Sequence, residues 1–433
     1  MERTQKKNKS RNLRLTEIQL LILPAIIAVL GSIMVISVPN KSVGWTAADL
    51  WMPLAFIGIL VITHIALNIG LPKSDQVVLA LISMLAAFGL IMCQRLETTG
   101  SGNIAVRQVI WVAVGYAFFI AITLGLRNLM LLKRYKYTFM FIGLGLTAAV
   151  AVFGTEINGA RLWFRFGIFS FQPSELLKII LVIFLAAFLD ENRDLITETR
   201  FRLGHIPLPP LPYLAPLLVV WGISMLTLIV SKDLGAALLF FGVLLIMLFV
   251  ASSRAAYVLA GFVLFGIGAF LAYNAFAHVE VRVTVWLNPW QYAQDIGYQI
   301  IQAIFAFTDG GVFGQGLGYG SPLYIPIVQT DYVFAAIGEE VGLMGTVSLL
   351  CIYLLLIYRG FHIALNATIS FYQYLAIGLI SIIGLQTFII LGGVTKLIPL
   401  TGMTLPFVSY GGSSIIANFI IVALLVRISG EKS

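Results

Sequence analysis

Apolar residues in this chain do not recur at every third or fourth position. They come in long, nearly unbroken runs, at about 18–38, 51–71, 76–94, 107–126, 136–154, 174–190, 213–230, 234–251, 255–276, 332–357, 371–393 and 409–427. Each is close to the roughly 20 residues that a membrane-crossing helix needs. Backbone N–H and C=O groups in lipid find no water, so each run must satisfy them internally as helix. The pattern predicts an all-α polytopic membrane protein of about twelve transmembrane helices, joined mostly by short polar turns. The first run follows a basic tail, residues 1–17, expected to be disordered, and no small-residue cleavage site follows it. It reads as a retained helix, not a removed leader.

Composition sharpens this picture. The chain has 433 residues, of which 60% are hydrophobic and 11% charged, and a mean hydropathy of +0.98. A soluble domain carries about 25% charged residues. A net charge of +8 could suggest nucleic acid, but its positions fit membrane orientation better, and no nucleic-acid partner is expected. Twelve spans put both termini on one side. Placing that side in the cytoplasm puts most Lys and Arg inside, as the positive-inside rule requires. The segments 155–173, 231–233, 277–331 and 394–408 then open outward. The 277–331 loop is the longest, and its amphipathic, aromatic character predicts one or two short interfacial helices. Cys93 and Cys351 lie inside apolar runs, and the four histidines are scattered. Neither a disulfide nor a histidine metal site is expected.

Charges inside or beside apolar runs are costly and therefore draw attention. In "NGARLWFRFGIFSFQPSELLKII", Pro173 suits a first helical turn. Glu175 and Lys178 are three apart, so they share a helix face. They form either a structural salt bridge or a functional pair. Arg161 and Arg165, in the loop before them, either snorkel at the interface or clamp phosphate through the guanidinium fork. Lys232 and Asp233 in "SKDLGAALLFF" read as a solvated turn. The glycines of "FTDGGVFGQGLGYG" contain no GxxxxGK[ST] and follow no strand of a βαβ unit, so no nucleotide site is read there. They suit a loop that hugs the membrane surface or lets a substrate approach the backbone. In "GGVTKLIPLTGMTLPFVSYGGSS", prolines and small polar residues around Lys396 read as a re-entrant loop, tolerated only when packed in protein or lining a cavity. Asp331, in "QTDYVF", stands immediately before an apolar run that also holds Glu339 and Glu340.

Taken together and in order, these stretches resemble the SEDS family (shape, elongation, division and sporulation), which includes RodA and FtsW. The elements "NGARLWFRFGIFSFQPSELLK", "KDLG" (with Lys232 where the family usually has proline), "GYQIIQAIFAFTDGGVFGQGLGYG", "TDYVFAAIGEEVG" and "GGVTKLIPLTGMTLPFVSYGGSS" carry the resemblance over residues 76–430. The first two spans, within 18–71, are extra to the usual ten-helix core. With the "LLVRIS" ending they make the chain more similar to RodA-type members than to FtsW-type ones.

The resemblance implies an inverting peptidoglycan glycosyltransferase of the bacterial cytoplasmic membrane, serving cell shape and elongation. It would polymerise lipid II on the outer face with a class B penicillin-binding protein as partner. It implies a divalent cation, Mg2+ or Mn2+, with no self-evident ligand set, and no nucleotide. It makes Asp331 the catalytic base and Glu175 and Lys178 a supporting charged pair. Arg161, Asp233, Gln299, Lys396 and Ser409 become candidates for substrate contact, Arg161 and Lys396 for the pyrophosphate. Twelve spans with intramembrane charges also fit a flippase or transporter. A non-catalytic cell-wall scaffold is a third reading, though it leaves Asp331 without a reason.

Overall fold

Each apolar run becomes a helix. A computed structural model describes residues 14–39, 43–100, 102–157, 160–166, 169–197, 201–203, 206–208 and 211–431. Residues 1–13 of the basic tail, whose composition suggests disorder, lie outside the described residues. Twelve long helices are found among the described residues: α1 (Leu15–Ser37), α2 (Trp51–Gly70), α3 (Val78–Arg95), α4 (Ile104–Gly125), α6 (Lys136–Phe153), α7 (Pro173–Thr197), α8 (Leu211–Val230), α9 (Leu234–Ser252), α10 (Ala255–Ala275), α13 (Val333–Leu365), α14 (Ser370–Val394) and α15 (Gly412–Gly430). Three shorter helices are α5 (Met130–Arg134), α11 (Ala277–Leu287) and α12 (Tyr298–Gly310). Among the described residues, ten helices are long and apolar enough to cross a membrane by length and composition. Both remaining long helices, α7 and α8, also coincide with apolar runs. The expected all-α membrane architecture holds, and the long 277–331 loop carries α11 and α12 as its two short helices.

The pattern of spanning runs does not foresee strands. Residues 155–171 form a three-stranded antiparallel sheet, β1 (Thr155–Ile157), β2 (Ala160–Phe166) and β3 (Phe169–Phe171), and a second hairpin joins β4 (Phe201–Leu203) to β5 (Ile206–Leu208). In "ARLWFRF", Arg161, Trp163 and Arg165 fall on one side of a two-residue repeat and Ala160, Leu162, Phe164 and Phe166 on the other, which is strand periodicity. The segment is too short to span, so the spanning pattern marks it only as loop.

The helix ends separate into two sets of contacts. At one end Arg14 bonds Glu17, the carbonyls of Leu71 and Asp75, and Ser74. Arg359 pairs with Asp75 at 2.7 Å, Lys133 with Asp190 at 2.6 Å, and Arg427 bonds the carbonyls of Leu126 and Arg127. At the other end Gln172 N donates to Ser413 Oγ at 3.1 Å, and Tyr410 N donates to Gln329 O at 2.9 Å. Arg95 pairs there with Glu340 at 2.7 Å. All the sequence motifs singled out above gather at this second end.

α13 extends eight residues past its expected end, and it is broken at Gly342, whose φ is 71°. A break leaves helical carbonyls and N–H groups without their usual partners. The glycine-rich loop supplies them. Gln315 N and Gly316 N donate to the carbonyls of Glu339 and Glu340 at 2.9 Å, and Leu343 N and Met344 N donate to Gly311 O and Val312 O at 2.9 and 3.1 Å. A Cβ on Gly314, where φ is 81°, would lie 2.3 Å from Glu340 O. Glycine is therefore required by close approach to a helix break. Gly314→Ala should lower stability by more than about 1 kcal/mol, the floor for alanine at positive φ. Gly316→Ala shares the strain of a positive φ (99°), but its new Cβ meets only the Tyr319 side chain at 3.3 Å, so it should cost less than Gly314→Ala. Melting temperatures of the two variants in detergent check this; equal values would mean that the loop does not hold the break.

The same contacts account for the acids inside α13. Glu340 takes Arg95 and the Gly318 N–H at 3.2 Å, and Glu339 accepts from Ser321 N. Arg95 also donates to Gly320 O at 2.9 Å.

Candidate active site

Pro173 opens α7 as a first-turn residue, and this places Glu175 and Lys178 on one face. Lys178 Nζ lies 2.6 Å from Glu175 Oε2, with the lysine side chain 3% exposed. The lysine also donates to Gln386 Oε1 on α14 at 2.9 Å and to Asn418 Oδ1 on α15 at 3.4 Å. Gln386 Nε2 donates to Thr404 O at 2.8 Å. Asn418 Nδ2 donates to Ser414 Oγ, which also accepts from Thr404 Oγ1 at 2.7 Å. The pair thus ties α7 to α14, α15 and the loop between them. Sequence reasoning missed Gln386 and Asn418. Isolated amides in apolar helices were the available signal, since such groups seek partners across helices.

Asp233 is not in a solvated turn. It caps α9, accepting from Ala236 N at 3.1 Å, and it accepts from Ser174 Oγ at 2.9 Å and Gln172 Nε2 at 3.3 Å. Burial pushes its carboxyl above the usual range, while the Ala236, Ser174 and Gln172 bonds pull it down and nearby Glu175 adds to the rise. Asp233 therefore joins the start of α7 to the start of α9.

Asp331 is half-buried and stands two residues before α13. Tyr332 occupies the cap position, and α13 has no side-chain cap bond. A capping role does not explain the aspartate. Its neighbours are pinned from across the fold: Ser409 Oγ donates to Thr330 O and accepts from Leu405 N, and Tyr410 N bonds Gln329 O. Ser409 is 2% exposed, so it positions the segment before Asp331 and presents no open hydroxyl. Burial pushes the Asp331 carboxyl up to about 6, against the Thr330 hydrogen bond and the positive charge of Arg282.

Arg282, on α11, does not stand out among the sequence motifs. It is the lone Lys or Arg of the 277–331 loop, and that isolation was the available signal. Its Nη1 donates to Leu400 O at 3.0 Å. Asp331 Oδ2 and Arg282 Nη2 converge on Gly402 (φ 73°), lying 3.6 and 3.8 Å from where its Cβ would be.

The other candidates lie apart from this cluster or meet it through their backbone. Arg161 on β2 pairs with Glu156 across the β1–β2 hairpin at 3.3 Å, both being about half exposed. Gln299 on α12 donates to Pro326 O at 2.7 Å and braces that segment. Lys396 has a left-handed backbone (φ 62°), and its carbonyl accepts from Trp286 Nε1 on α11 at 3.0 Å. Among the described residues no group of three or more His, Cys, Asp or Glu could hold a metal ion. The cation that acts here is Arg282, whose charge both Asp331 and Asp233 stabilise. These residues do not by themselves fit a resident divalent-cation site.

Fold and site together define a multi-pass membrane protein with a charged, partly buried cluster at one end of its helical bundle. The chain belongs to the family of cell cycle proteins that groups FtsW, RodA and SpoVE, whose family model matches residues 74–433. It is 40% identical over 422 residues to the peptidoglycan glycosyltransferase RodA of Mycobacterium leprae, covering 96% of this chain and 90% of that one. It is 41% identical over 279 residues to the probable peptidoglycan glycosyltransferase FtsW of Geobacter sulfurreducens, covering 64% and 72%. Its fold is similar to a chain in a peptidoglycan synthase complex whose structure concerns coordination of polymerization and crosslinking, with a TM-score of 0.68 and 26% identity, over 83% of this chain and 99% of that one.

Proposed function

We propose that this chain is a peptidoglycan glycosyltransferase of RodA type that polymerises lipid II, with Asp331 as general base. The observation that carries the assignment is the half-buried Asp331 carboxylate, which shares the space beside Gly402 with Arg282. Lipid II brings its own leaving group, a polyprenyl pyrophosphate, so no nucleotide is needed. Asp331 takes the proton of the acceptor sugar hydroxyl as that oxygen bonds the donor's anomeric carbon. The anomeric C–O bond breaks, and its electron pair leaves with the pyrophosphate. A single displacement inverts the anomeric configuration. A positioned base of this kind contributes typically about 10²–10⁴-fold, most effectively when its pKa lies near the working pH. Lys396, in the same loop as Gly402, is the candidate for contact with the leaving pyrophosphate, ahead of Arg161, which Glu156 holds on an exposed hairpin.

The site end of the bundle faces outward in this proposal, with both termini in the cytoplasm of a bacterial cell and a class B penicillin-binding protein as partner. The test is the purified chain with its partner, given labelled lipid II. Glycan polymer supports the assignment; leaflet exchange without polymer would make the protein a flippase, and neither would leave a scaffold.

A pH dependence follows from the raised carboxyl. The base works only when ionised, so activity is retained above the Asp331 value of about 6 and lost as pH falls through it. The initial rate should drop about tenfold between pH 7 and pH 5, the ratio of ionised fractions for such a base. A flat profile across that range would remove Asp331 from the proton transfer.

A further inference from the structure

We propose that Arg282 is a positioning residue for glycosyl transfer, holding the Asp331 carboxylate in place and in its charged form from beside Gly402. This rests on the glycosyltransferase assignment above. α11 lies on the 395–402 segment through two side chains on one helix face. Arg282 Nη1 donates to Leu400 O, and Trp286 Nε1 donates to Lys396 O, each at 3.0 Å. With Nη1 committed to a carbonyl, the planar fork turns Nη2 toward Gly402. Asp331 Oδ2 lies 3.6 Å from where the Cβ of that glycine would be, and Arg282 Nη2 lies 3.8 Å from it. Both groups thus border the spot that a Cβ on Gly402 would fill, and the Arg282 charge acts on the Asp331 carboxyl there.

The surrounding charges single out Arg282. It is the charged group whose field acts on the Asp331 carboxyl, opposing burial there. Asp233, at the start of α9, also stabilises Arg282, but its own oxygens already accept from Ala236 N, Ser174 and Gln172. Lys232 and His278 complete the cluster. His278 lies one turn before Arg282 on α11, and the charges of Arg282 and Lys232 both act on it. Tyr332, the remaining titratable group here, feels the Asp331 charge and titrates far above the working range. An arginine keeps its charge throughout, so Arg282 supplies a constant field at Asp331.

The experiment compares pH–rate profiles of lipid II polymerisation by the chain with its partner, for wild type and for R282M, R282K, W286F and H278Q. An opposite charge nearby moves a carboxyl by about one pH unit or more. R282M should therefore shift the acid limb upward by about one unit, losing about fivefold more rate at pH 6 than at pH 8. R282K should keep the limb near its wild-type place at reduced rate, because charge remains while the fork is lost. W286F should loosen α11 and lower the melting temperature without moving the limb. H278Q should also leave the limb in place. A uniform loss in R282M at every pH would make Arg282 a staple for α11 and nothing more, and an unchanged R282M profile would overturn the proposal outright. A limb that moved in H278Q would assign the titration to the histidine and overturn it as well. Absence of polymer from the wild type would instead sink the glycosyltransferase assignment itself.

Discussion

Asp331→Asn should reduce lipid II polymerisation by at least about 10²-fold, the lower part of the range for a general base. The change keeps the side chain's shape and removes its proton affinity. Little else should alter. The α13 helix starts without a side-chain cap, so no capping bond is lost. The segment before Asp331 is held by bonds from Ser409 and Tyr410 to the backbone of Thr330 and Gln329, which the substitution leaves alone. Burial raises the wild-type carboxyl, so a neutral amide fits there at least as well, and the melting temperature should hold or rise. The rate of glycan synthesis, measured beside membrane level and melting temperature, decides the matter. Near-normal polymer from intact Asp331→Asn protein would send the search for the base elsewhere.

The second large effect is expected at Lys178. Its ammonium is buried among Glu175, Gln386 and Asn418. Lys178→Met leaves the Glu175 carboxylate without its cation, 12% exposed. Breaking a buried pair from one side costs roughly 3–5 kcal/mol, and residual exposure of Glu175 puts the lower figure in view. Replacing both partners removes the stranded charge, so Glu175→Gln/Lys178→Met should recover most of the lost melting temperature. Activity should not return with it. Lys178 holds Gln386, Gln386 holds Thr404 O, and the loop beyond Thr404 carries Ser409, which pins Thr330 beside Asp331. Loss of Lys178 removes one anchor of that loop whatever happens to the charge. Normal polymerisation by both single variants would reduce the pair to a structural neutraliser of two buried charges.

Features that depend only on near neighbours in the chain are legible in the sequence. Pro173 marks the start of α7, and three-residue spacing alone puts Glu175 beside Lys178. The amphipathic 277–331 loop contains its two short helices. Less is visible where local rules compete. The alternation in "ARLWFRF" is masked, because a strand of that length leaves little mark on a pattern dominated by spanning runs. The glycines of 310–320 suggest a chain that yields to a surface or a substrate, whereas Gly314 yields to the Glu340 carbonyl. That requirement appears only once α13 is known to break at Gly342.

By itself the sequence determined that the long apolar runs are helices and where they lie, because lipid forces each run to bond within itself. It also determined which motifs carry charge and, through their family likeness, drew attention to the aspartate at the head of α13. Only the tertiary structure decided which charges meet. Arg282 comes near Asp331 at Gly402, where its bond to Leu400 O and that of Trp286 to Lys396 O hold α11 on the 395–402 segment. Arg161, equally basic in the sequence, is kept on its own hairpin by Glu156. A charge interaction depends on the distance and the medium between two groups, and for residues on different helices both are set by packing alone.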